Sequence, residues 1–309
     1  MSRQRRPLRR ALNGVLLLDK PKGLTSHEAM IEVRSRFNAD KAGHTGTLDP
    51  LATGLLPICF GQATKLSAHL LDARKRYRAE VKLGASTRTG DSEGDVLQRS
   101  DPSGLKLLQL QDAARACTGL IQQVPPMYSA IKRDGTRLYE LAREGVEVER
   151  EPREVEIHAL SVVSFEGDVA VLDVTCSKGT YIRTLAEDWA AKLGQVAHLA
   201  GLRRLAVGHY GAELPAVVVT LDAIHDASDL TSLDRHLLPS RSAVLHWPQV
   251  MVTCAQSAQM DLGMIVELAC PAHPGWVAIE REDGAFMGLG EVLPDGRLQP
   301  RRWFGPDGA

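Results

Sequence analysis

The chain has 309 residues, 44% of them hydrophobic and 24% charged, with a formal net charge of −1. That length suggests about two domains. The composition excludes a disordered, collagen-like or coiled-coil chain, and no run approaches the ~18 apolar residues of a membrane span. Charge is unevenly placed: from Pro248 onward there are four Arg, no Lys and eight acids, which leaves residues 1–247 with a positive surplus of three. Arg3, Arg5, Arg6, Arg9 and Arg10 crowd the start and read as a basic arm on nucleic acid or a solvated tail. No apolar h-region of a secretory signal follows them. The five cysteines (Cys59, Cys117, Cys176, Cys254, Cys270) are odd in number and widely spaced, without a C-x-x-C. That argues against a disulfide framework or zinc site and for a reduced, cytoplasmic compartment.

Gly14 to Asp19 reads as a buried strand closed by the Lys20-Pro21-Lys22-Gly23 turn. Thr25-x-x-Glu28 has the form of a capping box, and Ala29, Met30, Val33 and Phe37 keep helical spacing to an end near Asn38. Lys41 to Gly61, rich in Gly, Thr and Pro, predicts a structured loop leading into a buried segment. Tyr77, Ala79, Val81 and Leu83 alternate with Arg78, Glu80 and Lys82, a half-buried strand. Thr87 to Asp95 is a polar loop, Leu105 to Leu120 a predicted helix, and Arg137 to Arg143 a second one ended by Gly145. Val169 to Cys176 predicts a strand, Ser177 to Gly179 a turn, and Thr180 to Leu193 a helix with Ile182, Leu185, Ala186, Trp189 and Leu193 on its apolar face. Thr220 to Trp247 reads as a connector, and from Gln249 short strands and glycine turns predict a small all-β module.

Three segments carry candidate chemistry. In Gly43-His44-Thr45-Gly46-Thr47-Leu48-Asp49-Pro50-Leu51-Ala52-Thr53-Gly54, the proline pushes Asp49 towards extended geometry and the glycines allow close backbone approach. Such a loop can hold one carboxylate above a cleft; an Asx-turn explains the same residues. It is not a phosphate loop, because no Gly-Lys-[Ser/Thr] follows. Two candidate ligands, His44 and Asp49, five residues apart do not make a metal site. Arg183 falls in the first turn of a predicted helix, where its charge opposes the helix dipole at ~0.3–1 kcal/mol; a partner carboxylate or solvent screening accounts for it. Arg74-Lys75-Arg76-Tyr77-Arg78 sets four cations around one ring, suited to phosphates and base stacking or to a solvated strand edge.

Taken together, the segments resemble the bacterial tRNA pseudouridine-55 synthase family. The likeness runs in order through Gly14–Ser26, Ala42–Lys65, Lys75–Gly84, Thr89–Gly94, Val124–Gly145, Cys176–Trp189 and Leu202–Gly208. The block around Asp49 is the most specific, and the closing FMGLGEV resembles a PUA-like RNA-binding module. The resemblance implies an α+β fold: a mixed, largely antiparallel central sheet with flanking helices and a small C-terminal all-β module. It implies a basic arm over 1–12, a catalytic domain over 13–247 with its connector at about 220–247, and a PUA-like domain over 248–309. Asp49 matches the nucleophilic aspartate, Arg183 the arginine paired with it, and Tyr77 the tyrosine that stacks on the target base. Tyr181 and Leu202 match pocket positions, His44 a residue that fills the space left by extruded bases, and Lys20 and Asp91 motif positions near the site.

The implied reaction isomerises a T-arm uridine to pseudouridine without redox change or loss of atoms, so no cofactor is required. The implied partner is the T-arm stem-loop of tRNA, bound by a monomer with no membrane and no obligate protein partner. Two other readings compete. A non-catalytic tRNA-binding or folding protein on the same fold predicts loss of Asp49 or Arg183, and both are present. A metal-dependent hydrolase built on His44, Asp49 and Asp91 predicts ligand clustering that the sequence lacks.

Overall fold

The computed structural model describes residues 9–129, 131–133, 135–211, 218–268 and 272–305. In chain order the first elements are β1 (Gly14–Lys20), α1 (Ser26–Arg36), β2 (Ala42–His44), β3 (Thr53–Phe60), α2 (Ser67–Asp72), β4 (Lys75–Leu83), β5 (Ala85–Thr87) and β6 (Val96–Arg99). There follow α3 (Leu107–Ala116), β7 (Gly119–Gln123), β8 (Lys132–Arg133), β9 (Thr136–Arg137), α4 (Leu138–Arg143), β10 (Arg153–Glu166), β11 (Val169–Cys176), α5 (Ile182–Ala191) and β12 (Ala197–Val207). The last are β13 (Val219–Thr220), α6 (Leu221–Asp226), α7 (Leu230–Asp234), β14 (Gln249–Val252), α8 (Cys254–Asp261), β15 (Val266–Glu267), β16 (Gly275–Arg281), β17 (Phe286–Val292) and β18 (Arg297–Trp303). The main sheet runs β13-β1-β3-β12-β4-β11-β10-β7, with β2 paired to β3. Only β1–β13 and β12–β3 are parallel among its pairs, so the sheet is mixed and largely antiparallel, as expected from the resemblance. A second sheet runs β14-β16-β17-β18-β15.

Strand alternation places four cores among the described residues, one of them inside the second sheet's module around Val252, Met260, Val277 and Ile279. The inward residues of β4 (Tyr77, Ala79, Val81, Leu83) join Leu110 and Ala114 of α3 and Ile182, Leu185, Ala186 and Trp189 of α5. β1 is buried on both faces. Leu16 and Leu18 pack with Ala29, Val33 and Phe37 of the α1 segment. Val15 and Leu17 pack with Leu55 and Cys59 of β3, with Ala278, Phe286 and Leu289 of the second sheet, and with Phe304 just after β18. Each Val, Leu, Ile or Phe among these contributes roughly 1.5–3 kcal/mol by leaving water. α1 begins in the Thr25–Glu28 capping box and gives way at Asn38, which has a left-handed φ of 50°.

Several sequence expectations need correction. The helix predicted over 105–120 is only Leu107–Ala116; Leu107 and Leu108 are exposed, and Gly119 instead opens β7, which pairs with β10. The basic run 74–78 is not at a sheet edge, because β4 lies between β12 and β11. Lys75 points inward onto the Leu71 and Ala73 carbonyls, and Arg76 and Arg78 both bind Asp173. The connector carries the short helices α6 and α7, and its Leu221, Ile224 and Leu233 are built into the α1 core. The terminal module contains a helix, α8, because Thr253 caps a run of helix-compatible residues. Of the N-terminal arm, Arg3, Arg5 and Arg6 lie outside the described residues, while Arg10 is docked, bridged to Ala39 and paired with Asp234. Cys59, Cys117 and Cys176 are buried free thiols, Cys254 is exposed, and Cys270 lies outside the described residues. Among the described residues, no helix is long and apolar enough to cross a membrane.

Candidate active site

The Asp49 loop is pulled down at both ends. Leu48, Leu51 and Ala52 are buried in the α3–α5 core. Ser26, at the start of α1, accepts from the Leu48 amide at 2.7 Å and donates back to its carbonyl at 3.2 Å. The Gly23 amide donates to the Pro50 carbonyl, and Thr45 donates through its amide to Pro57. Anchoring the neighbours in this way leaves the Asp49 carboxylate as the raised group, with 40% of its side chain exposed.

Arg183 meets it from the first turn of α5. Its Nε lies 3.0 Å from Asp49 Oδ2 and 3.9 Å from Asp91 Oδ2. Nη1 donates to the Thr89 carbonyl at 2.8 Å and Nη2 to the Tyr128 carbonyl at 2.7 Å. The guanidinium is thus satisfied on every side while its own side chain is 5% exposed. The carboxylate that the helix-dipole mismatch called for is present. Asp91 is buried behind the pair and accepts from the Thr89 hydroxyl and the Glu93 amide. Its loop is clipped to β12 through Leu199.

Tyr77 from β4, Tyr181 at the N-cap of α5 and Lys20 at the end of β1 all lie within the electrostatic reach of Asp49. Burial pushes both phenols up from their ordinary value. Lys20 is fully buried and donates to the Pro21 and Leu24 carbonyls at 2.8 and 2.7 Å. Burial brings its ammonium down to about 8. It thereby braces the turn that follows β1. Leu202 packs against the α3–α5 core from β12. His44 stands apart on β2; burial, then His27 and Arg204, lower its pKa. Its Nδ1 is buried without a hydrogen-bond partner among the described residues. Among these residues, no group of three or more His, Cys, Asp and Glu is placed to hold a metal ion.

Two residues at the site escaped the sequence reading. Gln123 of β7 grips the Tyr181 backbone, donating to its carbonyl and accepting from its amide. Arg204 of β12 lies fully buried under the Asp49 loop, with Nε on the Leu55 carbonyl and Nη2 on the Gly46 carbonyl. The available signal was the pair Arg203-Arg204 inside an apolar stretch: on a strand, one of two adjacent arginines must face inward.

Comparison with known proteins gives a consistent result. Residues 34–182 match the model described as "TruB family pseudouridylate synthase (N terminal domain)". Residues 183–245 match "tRNA pseudouridylate synthase B C-terminal domain", and 248–304 match "Pseudouridine synthase II TruB, C-terminal". Proteins named tRNA pseudouridine synthase B are 46% identical in Pseudomonas aeruginosa, over 96% of this chain and 97% of that one, and 48% identical in Stutzerimonas stutzeri, over 96% of each. Among solved structures, a crystal structure of a Cbf5-Nop10-Gar1 complex is similar with a TM-score of 0.68 at 27% identity, covering 91% of this chain and 78% of that one. An H/ACA RNP bound to a substrate RNA containing 2'-deoxyuridine shares the fold with a TM-score of 0.71 at 24% identity, covering 95% of this chain and 85% of that one.

Proposed function

The chain belongs to the TruB family of pseudouridylate synthases, and from that premise we propose that it isomerises uridine-55 in the T-arm of tRNA to pseudouridine. The observation that carries this reading is the Asp49–Arg183 pair at 3.0 Å, with the carboxylate raised from an anchored loop and the guanidinium held by two carbonyls. The reaction breaks the N1–C1′ bond, turns the ring and makes a C5–C1′ bond. Three routes use one carboxylate: attack by Asp49 at C6, attack at C1′, or removal of the C2′ proton to form a glycal. All need a fixed, partly exposed carboxylate with a counter-charge beside it.

The remaining residues divide the binding. Tyr77 stacks on the target base, Tyr181 and Leu202 wall the pocket, and Asp91 backs Arg183. The base leaves its stack at a cost of a few kcal/mol, and a neutral His44 filling the vacated space offsets part of it. The positive surplus of residues 1–247 supplies phosphate contacts whose contribution falls with salt. In this reading residues 13–247 catalyse, the basic arm over 1–12 and the PUA-like module over 248–309 add RNA contacts, and the protein works as a cytoplasmic monomer without a cofactor.

The test is tritium release from [5-³H]uridine-labelled tRNA transcript in EDTA, with wild type beside Asp49→Asn. Release by wild type alone, abolished by a U-to-C change at the T-arm target, is the expected result. Equal release from both proteins rejects the assignment of Asp49. No release from wild type with tRNA still bound favours a tRNA-folding role.

A further inference from the structure

Gln123 closes β7, the edge strand of the main sheet, and is 2% exposed. A carboxamide buried this deeply needs partners at both its ends. It finds them in one residue: Oε1 accepts from the Tyr181 amide at 3.1 Å, and Nε2 donates to the Tyr181 carbonyl at 3.3 Å. Only this orientation of the amide satisfies both groups. Tyr181 is extended, with φ −95° and ψ 109°, so the side chain pairs with it as a neighbouring strand would. The Tyr181 carbonyl also accepts from the Leu185 amide at 3.0 Å, the bond that starts α5. The Gln123 backbone meanwhile lies opposite Arg153 in the β7–β10 register. One carboxamide therefore stitches the start of α5 to the sheet.

The same segment meets α5 a second time. The carbonyl of Tyr128, further along the chain, accepts from Arg183 Nη2 at 2.7 Å. Between the two contacts stand Pro125 and Pro126, whose rings fix φ and restrict the residue before each. The stretch 123–128 thus sets the spacing between the Tyr181 backbone and the guanidinium that lies 3.0 Å from Asp49. We propose that Gln123 is a positioning residue for the isomerisation, acting through Tyr181 and Arg183: it holds the first turn of α5 against the sheet, so that the pocket wall and the counter-charge of Asp49 keep one arrangement. This rests on the reading of Asp49, Arg183 and Tyr181 as a uridine site. Few side chains could replace it. Asparagine ends a methylene short, and an ionised glutamate has no donor for the Tyr181 carbonyl.

The experiment compares wild type with Gln123→Met, which keeps the length and removes both hydrogen-bonding groups, and with Gln123→Asn, which keeps the groups and shortens the reach. In RNA-free protein, hydrogen exchange at the Tyr181 amide, followed by NMR, should quicken about tenfold in Gln123→Met, as expected for losing one hydrogen bond. Single-turnover conversion of bound tRNA should fall by about 10- to 100-fold, the range for reacting groups displaced by up to an ångström, with the Kd for tRNA unchanged. Gln123→Asn should lose rate in the same direction. A folded Gln123→Met that turns over like wild type overturns the proposal, as does unchanged exchange at Tyr181 or a loss confined to Kd. If Gln123→Met does not fold, the same outcomes are read from Gln123→Asn. An inactive wild type rejects the synthase reading and this role together, whereas unchanged exchange in RNA-free protein rejects the role alone.

Discussion

Replacing Arg183 with lysine separates the charge of that residue from its shape. The guanidinium serves three groups with three nitrogens: Asp49 at 3.0 Å, the Thr89 carbonyl at 2.8 Å and the Tyr128 carbonyl at 2.7 Å. One ammonium cannot reach carbonyls on two different loops and still face Asp49. With the side chain 5% exposed, water does not replace the lost donors, and each stranded carbonyl costs about 1–2 kcal/mol. The expected loss is therefore roughly 2–4 kcal/mol, and at ~2–4 °C per kcal/mol for a chain of this order the melting midpoint falls by about 4–16 °C. Activity falls further. The attraction to the partly exposed Asp49 is screened and adds little stability, but its direction sets the attack geometry, and misplacement by about an ångström is worth ~100-fold in rate. Calorimetry gives the first quantity and single-turnover tritium release the second. A lysine variant that melts like wild type and keeps more than a tenth of its rate would refute the reasoning, because charge alone would then suffice.

Lys75 is buried, and burial, followed by repulsion from Arg204, brings its ammonium down from 10.5 to about 8. Between those values the unfolded chain holds a proton that the folded chain lacks, so stability rises with pH across the window. In urea unfolding, wild type should gain on Lys75→Met by roughly 2–3 kcal/mol from pH 7.5 to 10.5; a constant gap rejects the burial argument. Gly54 sits at φ +99°, where a Cβ would lie 2.4 Å from the Arg204 carbonyl oxygen. Gly54→Ala should therefore cost roughly 2–5 kcal/mol by forcing β12 off β3, and a denaturation midpoint near that of wild type contradicts it. Gly46→Ala meets only a 3.4 Å contact with a side-chain nitrogen and should lose roughly 1–2 kcal/mol, with a larger proportional loss in single-turnover rate because it moves the Asp49 loop.

Local patterns were legible where one rule acted alone. β4 alternates through its whole length, and its burial follows the alternation residue by residue. The Thr25 cap and the left-handed Gly145 after α4 were equally plain. β10 and β12 were not read as strands because each carries two register shifts, at Ile157/Ala159 and Val162/Ser164 and at Leu199/Gly201 and Arg204/Ala206. Every shift reverses which residues face inward, so a period of two dissolves along the strand. The segment after Cys117 was carried on as helix because nothing local signals β7; its partner is β10, more than thirty residues later. At the site, the chain order of Asp49 and Arg183 could not place them together. Their contact depends on the α5 N-terminus reaching the Asp49 loop across the sheet. Gln123 was invisible for a related reason, since its partner is the backbone of a distant segment, which no side-chain pattern marks; for Arg204 the adjacent pair marks an inward arginine but not the carbonyls that it meets.

The shared packing of β1 and β3 with the second sheet changes how a shortened protein should be interpreted. Val15, Leu17, Leu55 and Cys59 rest on Ala278, Phe286, Leu289 and Phe304, so cutting the chain at residue 247 strips the rear wall from the strands that flank the reactive loop. An inactive truncation would report a collapsed scaffold as readily as a lost RNA contact, and the two defects would look alike in a binding curve. A single change on the outward side of the module, at exposed Arg301, leaves the wall standing and asks the RNA question alone.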